Sequence, residues 1–182
     1  SDLARARPGE LTYASAGIGA GSHLSGELLC METGIRMTHV PYRGGGPAMQ
    51  DALGGHVPLF MSNIVIILNH IREGRLRALG VSQATASRFL PGVVPFAEQG
   101  FPGFEALTYW VMVGPAGIPP EVTARMQQAI ARVLAEPQVQ ARMADQGAEI
   151  LANTPVEAAA FIRAEIAKWG EVIRANSITV DG

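Results

Sequence analysis

The chain has 182 residues, a length that fits one domain or two small ones. Hydrophobic residues make up 48% and charged residues 16%, enough apolar material for a sizeable core, which excludes wholesale disorder. The 14 Lys+Arg against 16 Asp+Glu leave a net charge of −2, with Lys168 the only lysine, so there is no clustered basic excess to form a nucleic-acid surface.

The predicted elements alternate over the first half. Leu11–Ser15 reads as a short strand, followed by the glycine-rich turn Gly17-Ile18-Gly19-Ala20-Gly21 and a helix over Ser22–Glu32, with Leu24, Leu28 and Met31 on one face. Met37–Val40 is a second strand, ending at Pro41-Tyr42-Arg43-Gly44-Gly45-Gly46. A helix over Pro47–Leu53 follows, with proline at its favoured first position. Val57–Ser62 reads as a third strand, which Pro58 places at a sheet edge or a strand start. A helix over Ile64–Arg72 and a strand over Leu76–Ser82 continue the pattern. Such alternation at short spacing predicts an α/β layer with parallel strands.

Between Arg88 and Gly103 the chain wanders through Pro91, Pro95 and Pro102, with one short helix near Phe96–Gln99. Leu107–Val113 reads as one more strand. Three helices close the sequence. The first carries the stripe Val122, Met126, Ile130 and Val133; the second runs over Gln138–Gln146; the last carries Phe161, Ile162, Ile166, Trp169 and Ile173. Thr154-Pro155-Val156-Glu157 has the residues of a capping box for that last helix. The boundaries are therefore 1–103 for an α/β domain and 104–182 for a strand with three helices. That tail has no sheet of its own to cover, so it needs strands from the first half, from another chain or from sequence outside these residues.

The strand–turn–helix at Ser15 to Leu24 is the best chemical site. Backbone N–H groups at a glycine turn and a helix N-terminus favour an anion, carboxylate or phosphate. Ser15 and Ser22 add hydroxyls, and the plainer reading is a tight turn capped by Ser22. Gly17, Gly19 and Ser22 give G-x-G-x-x-S, one residue short of the dinucleotide fingerprint, and no P-loop lysine is present. His23 at the helix start either donates to a bound anion or makes a local hydrogen bond. Arg43, after a strand end, offers a two-pronged partner for a carboxylate, with Tyr42 beside it; the bland alternatives are a surface arginine and a packing tyrosine. His39, His56 and His70 show no metal-ligand spacing, and no metal or cofactor is expected. Glu27, Glu32 and Asp51 are expected on solvated helix faces. Cys30, in an apolar helical setting, reads as an inert thiol. No nucleophile elbow or acid–base pair can be assembled, so catalytic residues are not expected. The polar opening Ser1-Asp2-Leu3 gives no expectation of a secretory signal within these residues, and no apolar run reaches membrane-spanning length.

Taken in order, these segments resemble the Bug family of extracytoplasmic solute receptors of tripartite tricarboxylate transporters. The series begins with Pro8-Gly9-Glu10-Leu11-Thr12-Tyr13-Ala14-Ser15, Gly17-Ile18-Gly19 and His23-Leu24. It continues through His39-Val40-Pro41-Tyr42-Arg43-Gly44, Asp51-Ala52-Leu53-Gly54-Gly55 and Gly74-Arg75-Leu76-Arg77-Ala78-Leu79-Gly80-Val81. Glu98-Gln99-Gly100, Pro102-Gly103-Phe104, Trp110 and Gly114-Pro115-Ala116-Gly117-Ile118-Pro119 follow. Each piece is weak alone, and the ordered set is strong.

The resemblance implies a periplasmic-binding-protein-like α/β fold that closes on a small carboxylated solute without catalysis. Residues 1–103 then correspond to the family's domain two, and 104–182 to the return segment of domain one, whose remainder would lie upstream of Ser1. The implied ligand edge is Ser15, Gly17, Gly19, Ala20, Ser22 and His23, with Tyr42 and Arg43 at the next strand end. Ala20 stands where the family commonly has Ser or Thr, which leaves carboxylate contacts to backbone amides, Ser15 or Ser22. The implied partners are a small carboxylate solute and membrane transporter subunits, in the periplasm, with a homo-oligomer through the exposed return segment also allowed. Two rival readings remain: an α/β enzyme domain that binds a phosphate-containing ligand at Gly17–Gly21, and a non-binding interaction module.

Overall fold

A computed structural model describes residues 2–179. They form two compact units: the described residues up to Thr108 together with those from Glu171 onward, and Tyr109–Gly170.

The first unit opens on a short helix α1 (Asp2–Ala6), which the sequence pattern did not signal, and then builds a three-stranded parallel sheet. Strand β1 (Thr12–Ser15) leads into α2 (Gly21–Thr33), β2 (Thr38–Pro41), α3 (Gly45–Leu53), β3 (Leu59–Phe60) and α4 (Ile64–Arg72). The order across the sheet is β2-β1-β3. Thr12 pairs with Thr38 and Ser15 with Pro41 on one side of β1, and Tyr13 pairs with Leu59 on the other. The chain thus leaves β1 in one direction and crosses back past it to β3. Crossovers of one hand that run in opposite directions put their helices on opposite faces of a sheet, here α2 and α3. The period-two alternation of β1 agrees: Ala14 is buried with Ala48 of α3 and Val57, against Tyr42 and Phe60, whereas the Tyr13 ring lies against Gly26 of α2.

Local chemistry explains the element ends. Gly34 stops α2 in the left-handed conformation (φ 64°) that glycine adopts at least cost. Asn63 caps α4 by accepting from the Ile66 N–H at 3.3 Å. Pro58 immediately precedes β3, which lies at a sheet edge as that proline requires.

Two expected strands do not form. Leu76–Ser82 is irregular, with one bridge between Val81 and Pro95, and Ser82 exchanges bonds with Ala106 (Ala106 N–H to Ser82 O, 2.9 Å; Ser82 Oγ to Ala106 O, 2.6 Å). Leu107–Val113 also stays outside any ladder. An apolar run becomes a strand only where a partner backbone accepts its hydrogen bonds.

The second unit contains α5 (Pro120–Leu134), α6 (Pro137–Asp145) and most of α7 (Pro155–Ala175), whose last residues belong to the first unit. Pro120 and Pro137 occupy the first turns of α5 and α6. The capping box at the start of α7 is present: Glu157 N–H donates to Thr154 Oγ1 (3.3 Å), and Glu157 Oε2 accepts from the Thr154 N–H and hydroxyl (both 2.8 Å). These bonds hold the Glu157 carboxyl below its ordinary pKa, the backbone bond from Thr154 first. Tyr109 packs edge-on against Phe161 at 4.8 Å, and Glu165 is buried between Trp169 Nε1–H, which donates to it at 2.8 Å, and Lys168.

Candidate functional site: a glycine loop braced by two stacked imidazoles

In an open parallel sheet, ligands bind beyond the carboxyl ends of the strands where the strand order reverses. Here that point is the end of β1. The loop 16–20 leaves it, and the neighbouring strand ends are tied to it: Tyr42 N–H donates to Ser15 O (3.2 Å), Gly44 N–H to Ala16 O (3.0 Å) and Met61 N–H to Ala14 O (3.1 Å). The site residues named from the sequence therefore gather at one end of the sheet: Ser15 closes β1, Gly17, Gly19 and Ala20 lie on the loop after it, Ser22 and His23 open α2, and Tyr42 and Arg43 follow β2.

Their individual roles are more specific than the sequence indicates. Ser15 is fully buried, so its hydroxyl is not presented for direct contact with a solute. Its Oγ accepts from the Gly17 N–H (3.1 Å) and lies 2.6 Å from His39 Nε2. Gly17 has φ 136°, and a Cβ there would stand 3.1 Å from the Tyr42 carbonyl oxygen, so glycine is required on both counts. Gly19 donates its N–H to His23 Nδ1 (3.1 Å), and Ala20 donates to Gly17 O (3.2 Å). Ser22 is not the N-cap: α2 begins one residue earlier, Ala20 occupies the cap, and the Ser22 hydroxyl accepts from the Ala16 N–H (3.0 Å). With no side-chain cap, the first amides of α2, at Gly21, Ser22 and His23, point out of the helix without an intrahelical acceptor. Amides left open at a helix start are able to donate to an anion.

His23 is buried and makes the local bond, Nδ1 accepting from Gly19. Its ring stacks on His39, with centroids 3.8 Å apart and planes 11° from parallel, and its Nε2 is 3.8 Å from Glu27 Oε1. Burial lowers the pKa of both rings. For His39 the neighbouring His23 adds to the effect and brings it to about 4, whereas for His23 the Glu27 charge works in opposition. Glu27 corrects the expectation of a solvated face: it is half-buried and accepts from the Tyr13 hydroxyl at 2.6 Å. Burial first, and that bond second, push the Tyr13 phenol up. With Ile18 and Asn176–Thr179, residues His23, Glu27 and His39 line a shallow depression of about 340 Å³.

Across the sheet edge, Tyr42 is half-buried and donates to Asp51 Oδ2 (2.7 Å), while His56 Nδ1 lies 3.3 Å from Asp51 Oδ1. The bond to Asp51 raises the Tyr42 phenol, and the same bond lowers the Asp51 carboxyl, with His56 helping. Asp51, too, is therefore a partner in a network rather than a purely solvated acid. Arg43 is exposed, beside the N-terminus of α3, which Gly44 (φ 110°) caps without a side-chain bond. Cys30 is half-buried, and burial pushes its thiol up. Among the described residues no cluster of His, Cys, Asp or Glu could hold a metal ion, and no helix is long and apolar enough to cross a membrane.

Sequence reasoning missed His39, weighed only as a metal ligand, and Glu27. A signal existed. In parallel register Tyr13 faces His39, and Ser15, two residues on, shares that face. His23 and Glu27 lie four apart on α2 and so share a side of the helix. The strand expected over Val57–Ser62 is also shorter: β3 ends at Phe60, and Asn63 beyond it caps α4.

A parallel sheet with a glycine loop and an uncapped helix at its switch point defines a protein of the α/β class. Residues 2–178 match the model of the tripartite tricarboxylate transporter family receptors, and the chain belongs to that family. It is 36% identical over 170 residues to BugT of Bordetella pertussis, a match covering 93% of this chain and 52% of BugT. The chain thus spans about half the length of that relative. Among solved structures it is similar to R. palustris Rpa4515, determined with adipate (31% identity, TM-score 0.87, 98% of this chain and 60% of that one). It is also similar to MatC of Rhodopseudomonas palustris with bound malate (28% identity, TM-score 0.75, 94% and 60%).

Proposed function

We propose that this chain is part of a periplasmic solute receptor that captures a small organic carboxylate for a tripartite tricarboxylate-type transporter. The observation that carries the reading is the uncapped N-terminus of α2 at the switch point of the sheet, where the Gly21, Ser22 and His23 amides and the positive end of the helix dipole await an anion. The edge comprises Ser15, Gly17, Gly19, Ala20, Ser22 and His23, with Tyr42 and Arg43 beside them. In this reading the amides after Ala20 take the carboxylate, Arg43 adds charge, and Ser15 shapes the loop from behind. Family membership supports a receptor over a phosphate-processing enzyme, because the family is one of transport receptors. The two R. palustris neighbours carry adipate and malate, both dicarboxylates, which favours a dicarboxylate for this chain.

Residues 104–182 serve, in the same reading, as the segment that completes a second α/β domain. The exposed apolar side chains of that stretch, Trp110, Met112, Val113 and Val156 among them, support assembly with further receptor sequence or a second copy.

Native mass spectrometry of the purified chain, followed by isothermal titration with malate, adipate, a monocarboxylate and inorganic phosphate, tests the proposal. A retained small carboxylate, or saturable binding of a dicarboxylate, supports it. Binding of phosphate with no response to any carboxylate would replace it by the rival phosphate reading, and a tight ligand-free oligomer would favour an interaction module.

A further inference from the structure

The glycine loop is held from behind by two ring nitrogens. A backbone N–H can only donate, so the Gly19 bond fixes His23 Nδ1 as an acceptor. His23 is therefore neutral, with its proton on Nε2, towards Glu27 Oε1. The Ser15–His39 contact admits the same reasoning. At 2.6 Å it is shorter than the roughly 2.7–3.2 Å of N–H···O bonds and fits a hydroxyl donor. The Ser15 oxygen already receives the Gly17 N–H, and its only other acceptor among the described residues, Gly17 O, is more distant at 3.2 Å. Ser15 then donates to His39 Nε2, which leaves His39 neutral with its proton on Nδ1. Two face-to-face imidazoles at 3.8 Å are compatible with that state, whereas two imidazolium rings would repel.

We propose that His39 and His23 are positioning residues for solute capture, a stacked pair of neutral imidazoles whose acceptor nitrogens fix Ser15 and Gly19 and thereby aim the free amides of α2 outward. The inference rests on the proposed receptor reading for its consequence and on the loop geometry for its mechanism. The chain of contacts is Tyr13 hydroxyl to Glu27, Glu27 beside His23, His23 stacked on His39, and Ser15 to His39, with one loop amide anchored at each imidazole end: Gly19 to His23 directly, and Gly17 to His39 through Ser15. The groups facing the pair are Glu27 from α2 and Tyr13 from β1; the residues contributed by 176–179 are uncharged.

The test has two parts, both on the 182-residue chain. Nitrogen-15 NMR of the histidines at neutral pH should show unprotonated Nε2 in His39 and unprotonated Nδ1 in His23. Protonated Nε2 in His39, or a doubly protonated ring, would overturn the assignment. The second part compares His39→Gln, which retains an acceptor within reach of Ser15, with His39→Phe, which retains only a flat ring. His39→Phe should speed hydrogen exchange at the Gly17 amide and weaken dicarboxylate binding, each about tenfold, the size of one lost hydrogen bond, and His39→Gln should restore most of both. Equal exchange in His39→Phe and wild type would overturn the brace. If His39→Phe does not fold, the wild-type tautomers and the Gln variant decide the matter. If wild-type protein binds no carboxylate, the receptor reading fails, while exchange and tautomers still decide whether the pair holds the loop.

Discussion

The two units differ in what they bury. Among the described residues, every buried apolar side chain lies in the first unit, from Ala4 and Tyr13 through Phe104 and Ala106 to Val172. In the second unit the buried side chain is a carboxylate, Glu165, while Trp110 is 71% exposed, Val113 84% and Ile166 68%. Yet both units have well-formed helices. Helix formation and core formation are thus separate achievements in this chain. In the first unit the parallel sheet gives α2 and α3 a surface on which to bury their faces. In the second, caps and prolines shape helices whose apolar faces are left for something else to cover.

Substitutions can break or sharpen that contrast. The largest effect is expected from Tyr13→Ala, which empties the most buried large side chain of the first unit and should cost about 3–5 kcal/mol in denaturant unfolding. Next is Gly26→Ala. Its Cβ would stand 2.4 Å from the Tyr13 ring, and forcing that overlap should cost about 1–3 kcal/mol by the same measurement. Removing the cap of α7 with Thr154→Ala should cost about 1 kcal/mol, read most directly as lost helicity by circular dichroism, because it deprives the Glu157 N–H of its acceptor and the carboxylate of one of its two donors, the backbone N–H of residue 154 remaining. The smallest effect belongs to Val113→Ser, expected within about 0.5 kcal/mol for an exposed position. A cost there approaching that of Gly26→Ala would mean that the second unit's apolar face is covered in solution, and an accompanying fall in oligomeric mass would identify a second copy as the cover.

Much of the first unit was legible. The strand–glycine–helix at 12–33 and the strand end at 38–41 are marked by apolar runs bounded by glycine and proline, signals that act within a few residues. The capping box at Thr154 and Glu157 was equally visible, since both partners lie in one turn. Less legible was the site's chemistry. Ser15 looked like a ligand donor because an isolated hydroxyl shows no partner in a linear reading, and its partner, His39, is 24 residues away. Glu27 looked solvated because helix periodicity does not reveal a tyrosine hydroxyl arriving from the strand beneath.

The amino-acid sequence by itself determined most of the helices and the capping box of α7, the glycine turn and its place after a strand, and the ordered motifs that carry the family resemblance. Tertiary structure alone decided the β2-β1-β3 order, the failure of 76–82 and 107–113 to become strands, and the stacking of His23 on His39. The physical reason is range. A helix satisfies its hydrogen bonds within four residues, whereas a strand, a buried hydroxyl or a stacked ring needs a partner that only the folded chain brings near.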